Sequence, residues 1–361
     1  MAFKFLIVKT SAIGDVLLSL EAISYLYCRI PDAQIDWVVE RESASLLKAH
    51  PGLHRVIVSD TKRWRRSFLA KEHREEMMLF IRELQKESYD VLFDLQGNSK
   101  SAIFTALARA KDKVGFSLSS VPELCNLFAT NCRFSLSEEE SLRKRYLFLV
   151  QSYFKDPSPF TPPSIDFVLT EEEKSRLHEL LLHPVLQQEG PKIMICFGSK
   201  WKNKQLPFSL LKSLLEEIAE ALHPVYLFPC GTAQEQEMGG ELEESFSGRS
   251  LSLKEMTLPL WQALMAQMDA LMTMDSAALH LCNTTKTPSF SLFGPSLASL
   301  YKPQGEAHLA IQGSCPYGVM FKMRCPKLRT CSTGACMSAY GAKELAERFI
   351  RHVQAFGKVN H

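Results

Sequence analysis

Apolar and polar positions along this chain fall into a repeating alternation. A short apolar run is followed by a loop of small or polar residues, then by a longer stretch with apolar positions three and four apart. Phe5-Leu6-Ile7-Val8 is long enough for a buried strand and too short for a helix. Lys9-Thr10-Ser11 leads to Gly14-Asp15, and a helical pattern starts at Val16 and continues through Leu17, Leu20, Ile23 and Leu26. Residues 34–39 read as a second strand, Ser43–Ala49 as a helix and Arg55–Val58 as a third strand. A basic run, Lys62–Arg66, opens a helix that extends to about Glu87. Tyr89–Leu95 predicts a strand, and the polar loop Gln96–Ser101 leads to a helix over Ala102–Arg109. Lys113–Phe116 is a further short strand, and residues 138–154 carry helical spacing through Leu142, Tyr146, Leu149, Val150 and Tyr153.

Asp156–Pro163 contains Pro157, Pro159, Pro162 and Pro163, which no helix or central strand tolerates. After it comes an acidic helix from Glu171 to about Leu182, and then the alternation restarts. Lys192–Phe197, Val225–Phe228, Ala270–Met274 and Ser289–Phe293 read as strands, with Ser289–Phe293 the last of them. Pro207 opens a helix, where proline fits the first turn. Leu345, Phe349, Ile350 and Val353 give the tail a helical pattern. The rhythm predicts an α/β protein of two Rossmann-like parallel-sheet domains facing across a cleft. The boundaries fall at 1–155 for the first domain, 156–190 for a linker and helix, and 191–338 for the second domain. Residues 339–361 form a C-terminal helix expected to pack back on the first domain.

A chain of 361 residues with 46% hydrophobic and 23% charged positions supplies two ordinary cores. The formal charge of +2 gives no global electrostatic case for nucleic acid, so anion binding must come from local clusters. The N-terminal apolar run is broken by Lys9 and lacks the form of a signal peptide, and no stretch approaches the ~18 apolar residues of a membrane span. A cytoplasmic location is expected, with at most peripheral attachment to a membrane.

In open parallel sheets, ligands bind at the carboxyl ends of strands, and the candidate chemistry lies there. Asp15 follows the first strand. It is either an acid complementing its own helix dipole or a general base. Lys62-Arg63-Trp64-Arg65-Arg66 is either a solvated helix start or an anion clamp in which Trp64 offers a ring to a sugar. Gly198-Ser199 and Asp275-Ser276 each lie where a strand meets a loop or helix. Backbone N–H groups and hydroxyls there can cradle a pyrophosphate, with Lys200, Lys202 and Lys204 adjacent. His280, one turn after Ser276, reads by default as a core histidine. The second half has no G-x-G-x-x-G, and the chain has no G-x-x-x-x-G-K-[ST], G-x-S-x-G or H-E-x-x-H.

Taken in order, several segments resemble glycosyltransferase family 9, the lipopolysaccharide heptosyltransferase family with the GT-B fold. They are Lys9–Val16, Pro31–Val39, Lys62–Arg66, Asp94–Ala102, Trp201–Lys204 before Pro207, Gly231–Glu237, Asp275-Ser276 with His280, and Leu292–Pro295. The resemblance implies inverting transfer of a heptose from ADP-heptose to the inner core of lipopolysaccharide, on the Kdo–lipid A side. Asp15 matches the general base. Gly198, Ser199, Lys204, Asp275, Ser276 and His280 are assigned to the donor side, with Lys204 stabilising the charge on the leaving ADP. Ser11, Gly14, Lys62, Arg63, Arg65, Arg66, Gln96 and Lys100 are assigned to an anionic lipid-linked acceptor at the inner face of the cytoplasmic membrane. No cofactor is expected. No metal is expected either, since lysine and helix dipoles supply the charge and no D-x-D pair is present.

The chain departs from the family pattern at Ala277, where glycine is common, at Pro122, where arginine is common, and at Ser141, where histidine is common. Two other readings therefore stand beside the first: a GT-B transferase using another nucleotide sugar, and a catalytically silent GT-B-like binding protein. Cys315, Cys325, Cys331 and Cys336 share one short stretch whose spacing differs from a zinc ribbon. They read first as a structural loop, with a zinc site as the alternative.

Overall fold

A strand buried on both faces reads as a continuous apolar run, and the apolar runs of this chain become two all-parallel sheets. The structure, a computed structural model, describes residues 2–67, 70–136 and 141–357. The first three positions of the helical spacing over 138–154 and the last four of the 339–361 segment lie outside the described residues. The chain divides into two compact units, Met1–Pro163 and Ser164–His361.

In the first unit the strands are β1 Lys4–Val8, β2 Gln34–Glu40, β3 Arg55–Ser59, β4 Ser88–Asp94, β5 Arg109–Phe116 and β6 Cys132–Phe134, in the order β3-β2-β1-β4-β5-β6. In the second they are β7 Lys192–Cys196, β8 Val225–Cys230, β9 Ser250–Lys254, β10 Ala270–Met274, β11 Ser289–Phe293 and β12 His308–Gln312, in the order β12-β11-β10-β7-β8-β9. Chain order reverses direction between β1 and β4 in one sheet and between β7 and β10 in the other. The crossovers leave these points toward opposite sides, which opens a crevice at the strands' carboxyl ends.

β6, β9 and β12 are additions to the sequence reading. All three are edge strands in which buried positions are few and scattered, so they lack the apolar run that marks a central strand. Ser289–Phe293 is therefore not the last strand. The basic run and its successor form two helices, Thr61–Arg66 and Lys71–Leu84, in place of one. The helix after β4 spans Ser99–Leu107, and Arg109 already belongs to β5.

The first core gathers Leu6, Val8, Val38, Ile57, Phe80, Leu92 and Phe104. The second gathers Ile193, Ile195, Leu214, Tyr226, Met272 and Phe290. Leu345, Phe349 and Val353 of the C-terminal helix Ala342–Phe356 belong to this second core, where the helix packs on Phe208–Leu222. Its apolar stripe matches a partner in its own unit.

Asp94, at the end of β4, is fully buried and acts as a hydrogen-bond hub. Its Oδ1 accepts from the Gln96 N–H at 3.0 Å and the Gly97 N–H at 2.8 Å, and its Oδ2 accepts from Thr105 Oγ1 at 2.9 Å and Asn126 Nδ2 at 2.6 Å. The turn it organises needs glycine. Gly97 has φ +72°, and a Cβ there would lie 2.6 Å from the ring of Pro122. Asp94→Ala removes the shared acceptor of four donors, of which Asn126 Nδ2 keeps Ser101 Oγ at 3.2 Å, and is expected to cost about 3 kcal/mol, read as a lowered urea midpoint of the full-length chain. A midpoint equal to wild type would show that water replaces the carboxylate.

Candidate functional site

At the β1/β4 reversal the loops that follow the two strands are stitched together by side chains. Gln96 Oε1 accepts from the N–H of Thr10 at 3.2 Å and of Ser11 at 3.3 Å. Lys9 is buried and donates to the Leu95 carbonyl at 3.1 Å and to Tyr146 Oη at 2.8 Å, with its ammonium 4.5 Å from the Tyr146 ring centre. These contacts fix the segment that presents Ser11, Gly14 and Asp15.

Asp15 stands in the first turn of the helix Ile13–Arg29, half-buried. Its Oδ2 accepts from the Ala12 N–H at 3.3 Å, the geometry of a helix-start acid. No contact engages Oδ1 among the described residues. The same carboxylate thus combines a tethered oxygen with an open one.

Lys100, in the first turn of the helix after β4, reaches Ser11 Oγ at 3.5 Å and Glu40 Oε1 at 2.9 Å. Glu40 is a residue the sequence reading missed. Buried at the end of β2, it also accepts from the Thr61 N–H at 3.2 Å and from the Thr61 hydroxyl, so it ties Lys100 to the start of the basic helix. Its only sequence signal is a carboxylate closing an apolar strand, and its partner lies sixty residues away in the chain.

The basic helix differs from the five-residue clamp. Trp64 is buried against Phe80 and donates its Nε1–H to Glu76 Oε2 at 3.1 Å, so it offers no face to a sugar. Helical spacing turns it inward while its four neighbours face solvent. Lys62 pairs with Glu42 at 2.5 Å and Arg63 with Glu76 at 3.0 Å. Arg65 and Arg66 are exposed and have no carboxylate partner among the described residues.

The second unit repeats the plan at β7/β10. Lys204 follows β7, Asp275 closes β10, and the two form a buried ion pair at 2.5 Å. Burial would raise the Asp275 carboxyl. The Lys204 charge and hydrogen bond outweigh it, with a smaller contribution from His280, and hold the group below the usual carboxylate range. His280 is buried in the helix Ala277–Cys282. Ser276 is half-buried with its hydroxyl 3.3 Å from Thr273 Oγ1, and the Ser199 carbonyl accepts from Gln205 Nε2 at 2.7 Å. A side chain at Gly198 would displace its neighbour Glu235. A Cβ there would lie 2.0 Å from Glu235 Oε1, on the carboxylate that caps the helix Ala233–Ser245 through the Gly231 and Thr232 N–H groups.

Two of the departures from the family pattern have local structural reasons. Pro122 packs where a Gly97 side chain would point, and Ser141 caps the helix Leu142–Tyr153 through the Lys144 N–H at 3.4 Å. The four clustered cysteines are free thiols, and among the described residues no three His, Cys, Asp or Glu side chains are placed to hold a metal ion.

The Lys204–Asp275 pair yields a stability test. Asp275→Ala leaves an unpaired buried ammonium and is expected to cost about 3–5 kcal/mol, whereas Lys204→Met with Asp275→Leu recovers more than half of that. Because the folded carboxyl lies below its unfolded value of about 3.9, its contribution is complete above that pH and is lost as the pH falls through the lower folded value. Urea titrations from pH 7 to pH 3 on wild type and the double variant check this. Equal pH slopes over that range would contradict it.

Residues 77–329 match the model of glycosyltransferase family 9 (heptosyltransferase). Lipopolysaccharide heptosyltransferase 1 of Pseudomonas aeruginosa is 26% identical over 324 residues, covering 89% of this chain and 87% of that protein. The Escherichia coli K12 protein of the same name is 26% identical over 295 residues, covering 81% and 88%. Among solved structures, E. coli heptosyltransferase WaaC with ADP superposes with a TM-score of 0.78 at 23% identity, over 97% of this chain and all of that one. A family 9 glycosyl transferase from Veillonella parvula gives a TM-score of 0.80 at 16% identity over 98% of each chain. With two parallel α/β units on the GT-B plan and a family match across most of its length, this chain belongs to glycosyltransferase family 9, the heptosyltransferases.

Proposed function

We propose that the protein is an inverting, metal-independent transferase that moves a heptose from ADP-heptose to the inner core of lipopolysaccharide, on the Kdo–lipid A side. The observation that carries this reading is Asp15: a half-buried carboxylate at the β1/β4 reversal, with one oxygen tethered and the other open. In the proposed reaction the acceptor hydroxyl oxygen attacks the anomeric carbon on the face opposite the diphosphate. The bond from that carbon to the ADP oxygen breaks, and the hydroxyl proton passes to Asp15 Oδ1. The tether at Oδ2 keeps the base oriented without consuming the oxygen that takes the proton.

On the donor side, the Lys204 ammonium retains N–H donors after pairing with Asp275 and offers them to the leaving diphosphate. It supplies in this way the positive charge that a metal provides in other transferases. Asp275 holds Lys204 in place, and Gly198, Ser199, Ser276 and His280 belong to the same donor side. On the acceptor side Lys100, Arg65 and Arg66 attract the anionic groups of the saccharide, Lys62 and Arg63 extend that field, and Ser11, Gly14 and Gln96 shape the floor. The Pseudomonas relative's name and the ADP in the WaaC structure support the donor class. Such an enzyme would work in the cytoplasm, peripherally attached to the inner membrane where its lipid-linked acceptor resides. Among the described residues no helix is long and apolar enough to cross a membrane.

Turnover of ADP-heptose with a Kdo–lipid A acceptor tests the base. Asp15→Asn is expected to reduce transfer by about 10²–10⁴-fold while ADP still protects the variant against heat. Wild-type turnover in Asp15→Asn would remove Asp15 from the mechanism. Stronger heat protection by UDP or GDP than by ADP would replace the donor, and no protection by any of the three would favour the silent binding protein.

A further inference from the structure

The segment Gly313–Thr333 runs between β12 and the short helix Ala335–Ser338 without a helix or strand, and none of its residues is fully buried. Irregular stretches of this length in a folded domain are usually functional. Its composition is polarised. From Ala307 to Lys343 the chain has no Asp or Glu, while Lys322, Arg324, Lys327 and Arg329 fall within it. Arg324 is drawn back onto the fold, with its guanidinium 5.1 Å from the Tyr301 ring centre and its backbone bridged to Ser296. Lys322, Lys327 and Arg329 are exposed and have no carboxylate partner among the described residues, in contrast to Lys62, Arg63 and Lys100.

The same segment holds large apolar side chains in water: Met320 is 90% exposed, Tyr317 68% and Met323 36%. Its course is nevertheless set. The Leu297 N–H donates to the Met323 carbonyl at 2.9 Å, the Cys325 N–H to the Pro295 carbonyl at 2.7 Å, and Asn203 Nδ2 to the Leu328 carbonyl at 2.7 Å. A fixed loop that pairs exposed apolar side chains with unneutralised cations fits one class of surface well. Cations meet anionic head groups, and an aromatic ring and thioethers enter the boundary with the acyl chains. A polyanion such as nucleic acid would satisfy the cations and leave Met320 in water.

We propose that Gly313–Thr333 is the surface by which the second unit docks on an anionic phospholipid bilayer. The inference rests on the lipid-linked acceptor of the proposed function and names the part of the chain that meets the membrane. Through Asn203 the loop is bonded to the residue next to Lys204, so docking would bring the donor loop close to the bilayer surface.

Co-sedimentation of the full-length protein with vesicles tests it. Vesicles of phosphatidylglycerol and phosphatidylethanolamine are compared with phosphatidylcholine alone, at low and high salt. Wild type is expected to bind the anionic vesicles at low salt and to be released at high salt. The variant K322E/K327E/R329E is expected to partition at least about tenfold more weakly, and Met320→Ser to weaken binding at either salt. Heat protection by ADP is measured on every variant and is expected to match wild type, which shows that fold and donor site are intact. Wild-type partitioning by the triple variant, equal binding to neutral vesicles, or no binding to anionic vesicles would overturn the proposal. Loss of ADP protection in the triple variant alone would reassign the loop to the donor site. If wild type binds vesicles but no ADP, the donor reading fails and the docking surface stands.

Discussion

The proposed base and the proposed diphosphate site lie at two reversals of strand order. A parallel sheet sends all its strands' carboxyl ends to one edge, and only where neighbouring crossovers part company does that edge open. In each unit one side chain spans the opening: Gln96 holds the Thr10-Ser11 backbone across β1/β4, and Lys204 grips Asp275 across β7/β10. The two bridges differ in kind. The first is neutral and rigidifies the loop that carries Asp15. The second is ionic and keeps a cation in a buried place where an unpaired one would lose its proton or unfold its surroundings.

Buried charge is managed differently at other points of the first unit, and the differences sort structure from function. Asp94 has no ion-pair partner among the described residues and is satisfied by four donors, so its task is to shape the turn that carries Gln96 and Lys100. Glu40 is buried but bound to a partly exposed lysine, an arrangement that fixes a charge while leaving it available to a ligand. Asp15 is tethered least of the three. The departures at Pro122 and Ser141 are filled by a ring against Gly97 and by a helix cap, so both positions keep structural work.

The elements that were legible in the sequence are those whose environment is uniform. β1, β4, β7, β10 and β11 are sealed on both faces and read as apolar runs. β6, β9 and β12 lie at edges, where alternating or short segments such as Ser250–Lys254 resemble loops. Loop positions of candidate residues followed from the strands, and Ser11, Asp15, Gln96, Lys100, Lys204 and Asp275 lie at the two reversals. Side-chain partners did not follow. Trp64 turned inward because one residue in a short amphipathic helix must, and the pairing of Lys62 and Arg63 depends on Glu42 and Glu76, which no local pattern connects to them. Glu40 was invisible for the same reason. Its meaning is tertiary.

The central claim is that the donor diphosphate is held at the carboxyl ends of β7 and β10. A crystal structure of the protein with ADP tests it most directly. The account predicts a diphosphate within hydrogen-bond distance of Lys204 Nζ, between the loop after β7 and the turn at Asp275-Ser276. A nucleotide bound at the β1/β4 edge, or away from both reversals, would contradict it.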